Sequence, residues 1–162
     1  MLSGTNWQPL FQWFEATTLG TQVRQSLWLF PVIECVHLLA LALLGGALLA
    51  VDLRLLGFGL RSQPSARLAR QMEPWLAGAL GTLIVTGILM FLSEAIKCYF
   101  SPPFSYKMSL LAIAILFTFT VRRRVANAEP GRIAPGMVRF TAFVSLALWF
   151  GVAFSGRWIA FY

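Results

Sequence analysis

Residues 38–51 (LLALALLGGALLAV) carry no charge, and the apolar stretch around them covers residues 27–51. A helix of about 20 such residues crosses the hydrocarbon of a bilayer, so this chain is read first as a membrane protein. Glu34 and His37 lie inside the same predicted helix, and Asp52 and Arg54 close it. His37 is the only histidine in the chain. A carboxylate and an imidazole three residues apart are costly in a spanning helix, and such groups face the bundle interior or a cavity. At about 100° per residue, Glu34, His37, Leu41, Gly45, Leu48 and Asp52 fall on one stripe. That stripe is predicted to face inward.

Composition agrees. The 162 residues are 58% hydrophobic and 12% charged, whereas a soluble domain carries about 25% charged residues. The net charge of +7 does not point to nucleic acid, because the arginines cluster in two short segments between apolar runs. Topology and anionic lipid headgroups account for that pattern. Cys35 and Cys98 have no metal-type spacing, and no secretory signal pattern opens the chain.

The pattern predicts an all-α integral membrane four-helix bundle, a single domain over residues 1–162. Trp7, Leu10, Phe11 and Phe14 repeat on one helical face, with Asn6 as cap and Pro9 in the first turn. This gives an N-terminal interfacial amphipathic helix over 6–19, its aromatics sunk into the acyl boundary. The spans are predicted at 27–51, 75–97, 106–121 and 137–159. A short helix is expected near 65–72, and Arg122-Arg123-Arg124 are expected to stop the third span. Arg157, Trp158 and Tyr162 anchor the end of the fourth.

Nine basic residues lie in the 52–73 and 122–139 segments, against Arg24, Lys97, Lys107 and Arg157 elsewhere. The positive-inside rule then makes both arginine-rich segments cytoplasmic. For a bacterial inner-membrane protein, both termini are periplasmic. Gly45-Gly46 and the Gly78/Gly81/Thr82 face suit close helix contact, within one chain, in a homo-oligomer or against a partner membrane subunit.

The ionisable residues of the periplasmic half admit three readings. As a cofactor site, His37 is a haem or metal ligand, Glu34 orients it, and Lys107 and Arg157 hold the propionates of a haem b. Met90 is the first candidate for the second axial ligand, with Met108 or the His37 of a second copy as others. As a quinone or lipid-like small-molecule site, His37 and Glu34 hydrogen-bond a carbonyl and aromatics pack the ring. As interhelical glue in a structural or accessory subunit, Glu34 pairs with Lys107, Glu94 with Arg157 or Lys97, and His37 donates to a carbonyl or to Glu34. A Cys35–Cys98 disulfide is a further option. Catalytic hydrolysis has little support: Glu34-x-x-His37 is one di-iron-type motif where such sites need two and further carboxylates. The functional expectation is a membrane redox or electron-transfer component.

The pattern W-L-F-P-x-I-E-x-x-H at residues 28–37, then G-G-x-x-x-x-x-D-L-R-L-L-G at 45–57, resembles an uncharacterised family of small bacterial four-span inner-membrane proteins. The likeness extends over the first two spans, with Pro74-Trp75 opening the second. It implies fold and compartment, not mechanism. His37 and Gly45-Gly46 are also loosely similar to copper-resistance D-type membrane domains, whose first helix carries a histidine before a Gly-Gly step.

Overall fold

A computed structural model describes residues 7–58, 64–129 and 131–161. The predicted Asn6 cap, Arg61 and the Tyr162 anchor lie outside the described residues. Two short helices, α1 (Gln8–Glu15) and α2 (Thr18–Gln25), precede the bundle. Four helices are long and apolar enough to cross a membrane: α3 (Leu29–Leu56), α4 (Ser65–Ser93), α6 (Pro102–Ala126) and α7 (Pro135–Trp158). A one-and-a-half-turn helix, α5 (Ala95–Phe100), links α4 to α6. The protein is an all-α, integral membrane four-helix bundle.

The N-terminal segment is broken where one helix was expected. The Thr17 hydroxyl donates to the Phe14 carbonyl at 2.7 Å and accepts the Gly20 N–H at 3.3 Å. It closes α1 and caps α2 at once. Trp7, Leu10 and Trp13 remain exposed, as an interfacial helix requires. Phe11 and Phe14 instead turn onto the bundle, each with its ring 5.7 Å from Phe91. Phe91 stacks on Phe104 at 5.6 Å, so one aromatic column ties α1, α4 and α6. Glu15 accepts the Ile96 N–H at 2.8 Å, at the start of α5, and pairs with Arg24. Gly20 lies against the carbonyl of Leu92, so close that a Cβ would stand 2.4 Å from that oxygen.

α3 ends at Gly57, whose φ of 92° lets its N–H and that of Phe58 return to the carbonyls of Arg54 and Leu53. The expected short helix near 65–72 is the first two turns of α4, so the connection before it is shorter than predicted. Pro102-Pro103 open α6, where a missing N–H costs little. The arginine triplet does not stop this helix. A π-turn at Thr118–Arg122 carries it on to Ala126.

α3 packs along α4 and α7, α6 packs along α7, and the last turn of α6 reaches α4. Leu44, Leu48, Leu76, Leu80, Ala114, Trp149 and Val152 fill the middle. A second cluster, Val51, Leu55, Leu68, Ala126 and Ala142, lies beside it. The predicted inward stripe holds for its deeper part: Leu48 and Asp52 are buried, but Glu34 is exposed.

Candidate functional site

Two polar centres lie on α3, one on each side of the apolar middle. At the first, His37 is half-buried and its Nδ1 is 2.7 Å from the Thr86 hydroxyl on α4. Thr86 Oγ1 is also 2.7 Å from the Thr82 carbonyl. A carbonyl only accepts, so the threonine proton is committed to it. In the neutral ring the proton between His37 and Thr86 therefore belongs to Nδ1, and Nε2 keeps its lone pair. No hydrogen bond to Nε2 occurs among the described residues. Gly87 lies beside the ring: a Cβ there would make ordinary contact, 3.6 Å from His37 Cε1.

Lys107 approaches from α6. Its stem lies on Gly156 of α7, where a Cβ would stand 3.4 Å from Cε. Among the described residues it has no carboxylate within ion-pair distance. The nearby acids are otherwise engaged or outside: Glu94 pairs with Lys97 at 3.8 Å, Glu15 with Arg24, and Glu34 is exposed. The expected Glu34–Lys107 and Glu94–Arg157 pairs do not form, and His37 donates to Thr86 rather than to Glu34 or a backbone carbonyl. Arg157 follows Gly156 at the end of α7 and is exposed.

Met90 is half-buried on α4, one turn beyond Thr86. The 2.7 Å bond between His37 and Thr86 shows that α3 and α4 touch at this level. Met108 is 48% exposed, directed away from the bundle. Cys35 and Cys98 are both free, so the disulfide option is not realised. Burial first, and then the Glu94 carboxylate, push the Cys98 thiol up to about 11. Among the described residues, no group of three His, Cys, Asp or Glu side chains converges as a metal cage.

The second centre was not foreseen as a site. Asp52 has no exposed surface, and Arg122 is 5% exposed. Arg122 Nε donates to Asp52 Oδ1 at 2.7 Å, and the Ser145 hydroxyl donates to Oδ2 at 2.6 Å. Three spans thus meet on one carboxylate. Arg122 is the last residue of the π-turn, and the helix runs on past it with its side chain buried. Trp149 Nε1 donates to Thr118 Oγ1 at 3.0 Å one turn before it. Arg123 points elsewhere, to Glu73 on α4 at 2.6 Å. The usable sequence signal was Asp52 on the inward stripe, since a buried carboxylate needs a cation. Nothing in the sequence singles out Thr86 or Ser145 among the other span hydroxyls.

The chain belongs to a family of unknown function, DUF6644, whose model matches residues 10–162. No curated protein and no solved structure matches it.

Proposed function

We propose that this member of the family is a membrane redox component whose His37 end receives the head group of a lipid-soluble quinone. The observation that carries the reading is the pairing of a fixed acceptor, His37 Nε2, with a part-buried ammonium, Lys107, that has no acid partner among the described residues. A quinone needs hydrogen-bonding groups of this kind and no second axial ligand. Glu34 and Arg157 are exposed at the same end of the bundle. Protein purified in mild detergent should carry quinone in its lipid extract, and His37→Ala should remove it. A quinone content unchanged by that variant would sink the proposal.

Haem b is the second reading, and one observation favours it. A metal-ligating histidine commonly donates its other ring N–H to a neighbouring acceptor, as His37 does to Thr86. Lys107 and Arg157 would hold the propionates. Met90, one turn beyond Thr86 on α4, or the His37 of a second copy would supply the second ligand. Oxidised and dithionite-reduced visible spectra separate the two: a Soret band lost in His37→Ala gives haem, and a colourless protein removes the haem and leaves the quinone to the lipid extract. If neither group binds and His37→Ala only loosens the bundle by about 1 kcal/mol, His37 is interhelical glue in an accessory subunit.

The positive-inside rule supports a bacterial inner-membrane setting with both termini periplasmic. An alkaline-phosphatase reporter fused after Tyr162 should be active, and an inactive fusion with an active cytoplasmic reporter would reverse the orientation. Self-association or a partner subunit is supported by the open space over Gly45, Gly46, Gly78 and Gly81, which none of the described residues fills. A strictly monomeric mass in native lipid, without a co-purifying chain, would count against it.

A further inference from the structure

The proton arrangement at His37 has a direction, and that direction selects between the two redox forms of a quinone. Thr86 gives its proton to the Thr82 carbonyl at 2.7 Å and takes one from His37 Nδ1, also at 2.7 Å. The acceptor end of this relay is a backbone carbonyl, one turn before Thr86 on the same helix. Neither hydroxyl nor ring can reverse without breaking a short bond. The neutral imidazole therefore faces any ligand as an acceptor only. An oxidised quinone offers carbonyl oxygens, which are also acceptors, and two acceptors in contact repel. A hydroquinone offers an O–H, which Nε2 accepts. Its oxygen retains lone pairs for an ammonium, and Lys107 of α6, its stem lying along Gly156, supplies one at the same end of the bundle.

We infer that the His37–Thr86–Thr82 relay makes this a site for a hydroxyl-bearing head, the reduced quinol, and that it discriminates against the oxidised quinone. Thr86 is a positioning residue in this scheme: it touches no ligand and acts by fixing the ring's tautomer. The inference rests on the quinone reading above, and the test separates the two. A short-tailed benzoquinone, its hydroquinone and the dimethyl ether of that hydroquinone are titrated under argon into the full chain in nanodiscs. Binding is read by saturation-transfer NMR, with the His37→Ala protein as the blank. An acceptor left without its donor loses roughly tenfold or more in affinity, so the hydroquinone should exceed both other compounds by at least that factor. Thr86→Val keeps the volume but removes the acceptor for Nδ1–H, which frees the ring to take either tautomer. The preference should then fall towards unity, and Thr86→Ser should restore it. Equal, His37-dependent binding of hydroquinone and quinone would overturn the inference and leave the site reading standing. Absence of His37-dependent binding for all three would overturn both.

Discussion

Asp52 is a carboxylate with no exposed surface in the interior of a membrane bundle, and its two oxygens are met by Arg122 and Ser145. Removing one member of such a pair leaves the other charged and unsatisfied, at a cost of about 3–5 kcal/mol. Arg122→Leu is expected to lower unfolding stability in detergent by that order. Asp52→Leu combined with Arg122→Leu should cost less than either change alone, because no orphan charge remains. A double variant weaker than both singles would show that the pair itself carries net stability. Cys98 gives a second expectation. The thiolate is the reactive form, and the folded pKa of about 11 lies above that of an ordinary thiol. In a Cys35→Ser background, maleimide labelling should be slow at pH 8, rise as pH approaches 11, and become fast at pH 8 on unfolding.

The interhelical contacts of the N-terminal pair are specific, and one glycine tests them. A Cβ on Gly20 would meet backbone, the Leu92 oxygen at 2.4 Å, so no side chain can yield. Gly20→Val should lift α2 from α4 and expose the segment to limited proteolysis. Gly78→Ala, with open space at its Cβ, should leave the segment as protease-resistant as the parent. Equal protease resistance in both variants would remove the structural role of Gly20. Apolar periodicity made four spans legible, yet the helix ends were misjudged wherever a side chain overrode composition. The arginine triplet reads as a stop because three cations are costly in lipid. The chain instead buries the first against Asp52, and no local pattern announces a partner 70 residues away. The break at Thr17 was equally hidden, since Ala16-Thr17-Thr18 is a weak helix breaker until its hydroxyl finds two backbone groups.

Across the whole molecule, the two polar centres on α3 are 15 residues apart, about 22 Å along the helix. The apolar middle, with Leu44, Leu48, Trp149 and Val152, separates them. Changes at the two ends should therefore add: His37→Ala and Asp52→Asn together should destabilise by the sum of the singles within about 0.5 kcal/mol. A larger coupling, measured in one detergent by a double-mutant cycle, would mean that the bundle transmits strain through its middle. A polar site on α3 was legible from Glu34, His37 and Asp52 sharing a stripe. Which of them the bundle would enclose was not, because that depends on where α4, α6 and α7 lie. Glu34 falls outside, His37 at the edge and Asp52 at the centre.

The Asp52–Arg122 contact also bears on the order of synthesis. A ribosome adding roughly 5–20 residues per second needs roughly 4–14 seconds to go from Asp52 to its partner 70 positions later. During that interval α3 has emerged with an unpaired carboxylate near one end. The inexpensive resting place for that end is the headgroup layer, where water can solvate the acid. α3 would then settle to its final depth only when the third span arrives with Arg122, which makes completion of α6 the event that locks the first-made helix in place.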